Sequence, residues 1–191
     1  DTSFDVGGGF NDDVNATSVQ TDGKVILGGK FTNYNENAVG RIVRINQNGT
    51  IDNSFTSGSG FSGSAVQIIK IDPFGNIMVG GSFTGFYDGR EVNRVCLLNP
   101  NGSLKNDFDI GSGPGSASVL TLANDLEGSW YIGGSFSVYD GLNQGKLAKI
   151  SNDGEHDVGY LSSGIGFDNS VLKVLSLPNK KTMVYGSFTK F

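Results

Sequence analysis

Gly28-Gly29-Lys30-Phe31 returns as Gly80-Gly81-Ser82-Phe83, as Gly133-Gly134-Ser135-Phe136 and, with one change, as Tyr185-Gly186-Ser187-Phe188. The Phe spacings are 52, 53 and 52 residues. A second aromatic column, Phe4, Phe55, Phe108 and Tyr160, is spaced by 51, 53 and 52. A third follows a Gly-rich lead: Phe10 after Gly7-Gly8-Gly9, Phe61 after Gly58-Ser59-Gly60, and Phe167 after Gly164-Ile165-Gly166, with Pro114 in the third copy. Ten of the 13 Phe residues fall in these columns. A fixed period of this length marks a repeat architecture.

Outward from those columns, each copy reads as four short strands. In the first, Val14 to Gln20 leads through Thr21-Asp22-Gly23-Lys24 into Val25 to Phe31. After a longer loop, Arg41 to Asn46 runs through Gln47-Asn48-Gly49 into Thr50 to Phe55. Asp-Gly and Asn-Gly predict type I′ hairpin turns, which need positive φ at both central residues. Helical periodicity is absent. Four antiparallel strands per unit of about 50 residues fit a β-propeller blade, whereas leucine-rich and hexapeptide solenoids have shorter periods. The fold class is all-β, with blades near residues 1–51, 52–104 and 105–156 and an incomplete one over 157–191.

Composition agrees. Gly is 30 of 191 residues, and Asn, Asp and Ser stand beside Val, Ile, Leu and Phe, a mixture suited to many strands joined by tight turns. The formal net charge is −5 with no basic cluster, so a nucleic-acid partner is not expected. One cysteine, Cys96, and one histidine, His156, allow neither an intrachain disulfide nor a zinc motif. No cofactor is expected. No apolar run approaches the roughly 18 residues of a membrane helix, so no membrane insertion is expected, and no signal-peptide pattern opens the chain. Because Asp1 begins in mid-pattern, a leader or neighbouring domain is compatible with the sequence.

The run Asp-x-Ser-Phe, Gly-x-Gly-Phe, Asp-Gly-Lys-Val-Ile-Leu-Gly-Gly-Lys-Phe-Thr, Arg-Ile-Val-Arg-Ile-Asn, Asn-Gly-Thr-Ile-Asp resembles the delta-60 repeat, a β-propeller-like family. The resemblance covers nearly the whole chain and is strongest over 1–104. It departs at Lys105-Asn106-Asp107 and Pro114, and again at Asn179-Lys180-Lys181 and Tyr185. It implies a propeller-type scaffold without a general enzymatic activity, on a bacterial surface, secreted, or associated with phage.

Three and a half blades make an open arc, since closed propellers have four to eight. An uncovered blade face exposing roughly 500 Å² of apolar surface costs on the order of 10 kcal/mol. The arc is therefore expected to continue in further blades of a longer chain or to pair with another copy.

Alternating loops place the hairpin turns on one face and the long connections on the other, among them Thr32 to Gly40, Thr84 to Asn93 and Ser137 to Gly145. Long loops on a rigid scaffold carry binding groups. Within them an aromatic beside a polar oxygen recurs as Tyr34-Asn35, Tyr87-Asp88 and Tyr139-Asp140. One reading is a sugar-stacking ring beside a hydroxyl acceptor. The other is a ring packed under its loop beside a turn-forming Asx residue, and recurrence in every copy favours it.

Cys96 aligns with Val43 and Ala148 and reads as a buried thiol, while Trp130, aligned with Val25 and Ile77, reads as packing. Asn11-Asp12-Asp13 and Asn152-Asp153-Gly154 offer oxygen ligands for calcium without the EF-hand spacing. The sequons at Asn48 and Asn101 sit on the recurring Asn-Gly turn. The function read from these features is a non-enzymatic scaffold or recognition module for protein or glycan. The alternative is a glycoside hydrolase-like enzyme using two acids among Asp12, Asp13, Asp88, Asp140 and Asp168.

Overall fold

A computed structural model describes residues 4, 7–125, 127–161, 166–178 and 181–191. Of the opening Asp-x-Ser-Phe run only Phe4, and of the Gly164-Ile165-Gly166 lead only Gly166, are among the described residues. Asn179 and Lys180 lie outside them.

Every element in the described residues is a strand. In the first unit β1 (Val14–Val19) pairs with β2 (Val25–Gly29), a small hairpin of β3 (Asn33–Tyr34) and β4 (Asn37–Ala38) follows, and β5 (Ile42–Ile45) returns antiparallel to β2. The second unit has β6 (Val66–Ile71), β7 (Ile77–Tyr87) and β8 (Arg90–Leu98), with the small hairpin merged into β7 and β8. The third repeats the first: β9 (Val119–Asn124), β10 (Trp130–Gly134), β11 (Val138–Tyr139), β12 (Leu142–Asn143) and β13 (Leu147–Ile150). The fourth is the hairpin of β14 (Val171–Ser176) and β15 (Thr182–Gly186).

The sheets are three-stranded where the sequence predicts four strands. The outermost strand survives as one bridge per unit: Ile45 with Ile51, Leu98 with Leu104, Ile150 with His156. The chain turns away at once, closing Phe55 N–H onto the Asp52 carbonyl at 3.1 Å and Tyr160 N–H onto that of Asp157 at 3.0 Å. A strand that turns after one bridge has no length left for a ladder.

The hairpin turns also differ from expectation. Gly23, Gly49, Gly75, Gly102 and Gly154 have positive φ, whereas the residue before each (Asp22, Asn48, Phe74, Asn101 and Asp153) does not. Gly49 N–H donates to the Asn46 carbonyl at 3.0 Å, and Asn46 N–H to the Thr50 carbonyl at 2.8 Å. This is a type I turn completed by a left-handed glycine, a three-residue hairpin loop. The side chain of Asn48 is bound to Thr50, and that of Asn101 to Ser103, inside these turns.

The units pack face to face as consecutive blades: β1 and β2 against β6, β6 and β7 against β9, β9 and β10 against β14. Glycine sets the spacing. A Cβ at Gly28 would lie 2.5 Å from Val66 Cγ1, at Gly80 2.6 Å from Val119 Cγ1, and at Gly133 2.7 Å from Val171 Cγ1. The bare backbone of each second strand thus receives the valine of the next unit's first strand. Ile26 and Ile42 are buried in one cluster with Val66 and Ile69, and Met78 and Val95 in one with Val119 and Leu122. A polar tie crosses the first junction. The Arg44 guanidinium donates to Asp52 at 2.6 Å, to Ser54 at 3.0 Å and to the Pro100 carbonyl of the next unit at 2.7 Å.

Candidate functional site

The Tyr-Asx pairs sit at the start of tight turns. Asn35 and Glu36 have φ of 46° and 66°, Asp88 and Gly89 46° and 78°, and Asp140 and Gly141 47° and 75°. Tyr34 pairs with Asn37, Tyr87 with Arg90 and Tyr139 with Leu142. Two residues of positive φ between paired strand residues make a type I′ turn, which explains Asn or Asp at the first position. The long second-to-third connection is therefore a second hairpin.

That hairpin clamps the Gly-rich lead of its own unit. Phe10 bridges Tyr34, Phe61 bridges Tyr87, and Pro114 bridges Tyr139. Asn35 accepts from Gly9 N–H at 2.8 Å and returns its own N–H to the Gly9 carbonyl at 2.9 Å. Asp88 N–H donates to the Gly60 carbonyl at 3.3 Å, and Asp140 N–H to that of Gly113 at 2.9 Å, while the Asp140 carboxylate accepts from Ser112 N–H at 3.0 Å.

All three tyrosines are buried, so the rings present no face to a sugar and the stacking role fails for them. Tyr34 and Tyr87 donate to the turn carbonyls of Gly49 at 2.7 Å and Gly102 at 2.5 Å. Phe10 and Phe61 pack on these rings with centroids 4.5 Å apart. Asn35 is half-buried, whereas Asp88 and Asp140 stay exposed.

The side chains at the hairpin tips vary between copies. Asn33, Phe86 and Val138 hold one position, and Asn37, Arg90 and Leu142 another. Phe86 is 55% and Leu142 48% exposed. Sequence reasoning picked out the recurring clamp and passed over these variable positions. The available signal was divergence at fixed register.

The other acids are engaged. Asp13 pairs with Lys30 at 2.7 Å, Asp12 accepts from Asp13 N–H at 2.7 Å, and Asp168 accepts from Thr189 N–H at 2.8 Å. Among the described residues no three His, Cys, Asp or Glu side chains gather as a metal-binding group. Cys96 is buried, and burial pushes its thiol above the ordinary range. Asp52 runs the other way. Burial alone would raise it, but hydrogen bonds from Lys24, Ser54 and Arg44 hold its carboxyl far below the usual carboxylate range.

The third unit breaks the pattern. With Pro114 in the Phe column, Tyr139 packs on Phe136 and His156, centroids 6.0 and 5.0 Å away. Among the described residues its buried hydroxyl finds no hydrogen-bond partner, nor does either His156 ring nitrogen or the Trp130 indole N–H. Burial lowers the His156 pKa, against the opposing pull of Asp140 and Asp157. Beside this cluster lies a cavity of about 400 Å³ lined by Asp107, Asp109, Asp140, Asp153, Glu155 and His156.

A model of the family described as "Domain of unknown function (DUF5122) beta-propeller" matches residues 20–55, 75–108 and 128–160, more than half of the chain. The segments end on the Phe55, Phe108 and Tyr160 column. No curated protein matches. A solved structure described as the extracellular domain of the candidate one component system BT4673 from B. thetaiotaomicron is similar, with a TM-score of 0.57 at 14% identity. The similarity covers 97% of this chain but only 22% of that one, and it shows the fold alone. With three blades carrying the family's pattern in register, the chain belongs to the DUF5122 β-propeller family.

Proposed function

We propose that this arc is a non-enzymatic scaffold and recognition module, acting outside the cell and binding protein or glycan through the face that carries the small hairpins. One observation carries the reading: a recurring Tyr-Asx hairpin presents variable tips. The buried tyrosines and turn-forming Asx residues hold each hairpin at the same place, while Asn33, Phe86 and Val138, and Asn37, Arg90 and Leu142, differ. Diverse groups on a rigid frame are what a recognition surface needs. Exposed Asp88 and Asp140, with the acid-lined cavity beside His156, add acceptors suited to sugar hydroxyls or to a basic protein patch. An extracellular setting is supported by the description of the similar solved structure.

The test is a glycan array, and a capture experiment with extracellular proteins, using the whole chain. The expected result is a ligand whose affinity falls about tenfold or more when Phe86, Arg90 and Leu142 are replaced by alanine. Binding that ignores those replacements, or no binding in either format, overturns the reading.

A further inference from the structure

Three blade junctions share one contact, and the fourth second strand cannot make it. Gly28, Gly80 and Gly133 each receive the first-strand valine of the next unit: Val66, Val119 and Val171. Those valines hold one register position, opposite Gly81, Gly134 and Gly186, and Val14 holds it in the first unit, opposite Gly29. In β15 the glycine position is Tyr185, which faces Lys173 as Gly28 faces Ala16 and Gly80 faces Ile68. Tyr185 is 67% exposed. On the same face Met183 is 55% exposed, whereas its counterparts Ile26 and Met78 are buried by the following blade.

A repeat-type blade cannot stack here as it does at the other junctions. A Cβ at the glycine position falls 2.5 to 2.7 Å from the incoming valine. The backbone fixes the position of a Cβ, so no rotamer of Tyr185 relieves the overlap, and the phenol ring adds to it. The apolar face continues the blade-stacking series with its knob and hole exchanged.

We propose that the outer face of β14 and β15 is an interaction surface for a blade carrying glycine where Val66 stands, and that it refuses the first blade of a second copy because Val14 occupies that position. Tyr185 is then a specificity-determining residue of the junction. The inference rests on the stacking geometry and is independent of any ligand at the hairpin tips.

The test is a two-site cycle read as mass in solution, by light scattering coupled to size exclusion, with circular dichroism to verify the fold. The wild-type chain is expected to show no head-to-tail association. Tyr185→Gly restores the hole, and Val14→Gly supplies one on the opposite blade. Each is expected to associate about tenfold or more tightly than wild type, and the double variant, with two holes, to lose much of that gain. Both side chains are partly exposed, at 67% and 38%, so neither change removes a core group. If Val14→Gly fails to fold, Tyr185→Gly carries the test. Association of neither variant, or a wild-type oligomer that Tyr185→Gly leaves equal or weakens, overturns the proposal.

Discussion

In the first unit the Tyr34 hydroxyl reaches the Gly49 carbonyl, Phe10 packs on its ring, and Arg44, Lys24 and Ser54 surround the buried Asp52. The third unit has the same strands and the same turn. Yet Tyr139, His156 and Trp130 carry all the buried side-chain polar atoms without a partner among the described residues. Phe10 has become Pro114, Arg44 has become Lys149, and Ile51 has become His156. A blade backbone thus tolerates very different polar chemistry, because the glycine column and the Phe31, Phe83 and Phe136 rings supply the packing. The first unit invests in satisfied polar groups. The third leaves them open beside an acidic cavity.

The sharpest way to break this contrast is Arg44→Ala. Removing one partner of a buried charge pair costs about 3 to 5 kcal/mol, and the low end is expected here because Lys24 and Ser54 still hold Asp52. Urea denaturation measures it. The same cluster predicts an acid limit. Because the folded Asp52 carboxyl is held below its unfolded value, its contribution is complete above about pH 5, shrinks as pH falls past about 4, and continues to fall toward the folded value. Asp52→Asn should flatten stability against pH in that window.

The tyrosines give the next largest effect. Tyr34→Phe leaves the Gly49 carbonyl unpaired and should cost about 1 kcal/mol, whereas Tyr139→Phe removes an unpaired hydroxyl and should be neutral or stabilising. Equal losses at both positions would show that the two clamps are alike after all. His156→Leu, matching Leu104 of the second unit, should raise stability by about 1 kcal/mol. Since burial depresses the folded His156 pKa, wild-type stability should decline as pH drops below about 6.5, and the variant should lose that slope. The smallest effect is Glu36→Gly. Glu36 holds a φ of 66° where the other turns have Gly89 and Gly141, so the change should gain about 0.5 kcal/mol, relief of left-handed strain outweighing unfolded-chain entropy.

Much of this was legible in advance. Period, column and all-β class follow from the Gly-Gly-x-Phe recurrence alone, because repeated strands need repeated packing residues. The Tyr-Asx pairs carried two open readings, and burial of all three rings decides against stacking. Asn-Gly and Asp-Gly were read as type I′ turns at the short hairpins. The structure gives that conformation to Asp88-Gly89 and Asp140-Gly141 instead, the two Asx-Gly dipeptides among the described residues with positive φ at both positions. The dipeptide signals a left-handed glycine. Whether the residue before it is also left-handed depends on the pairing register around the turn.

By itself the sequence determined that this chain is a row of blades with glycine, phenylalanine and tyrosine at fixed stations, since periodicity is a property of order along the chain. It could not say why Gly28, Gly80 and Gly133 are glycines, or that Tyr185 matters in the fourth copy. That meaning belongs to the gap between blades, where a valine about 40 residues further on arrives within 3 Å of a Cβ that must not be there. Likewise the loss of the outermost strand, the open polar groups of the third unit and the exposure of the hairpin tips were decided only by tertiary structure. Each depends on what a side chain meets across space, which spacing along the chain does not encode.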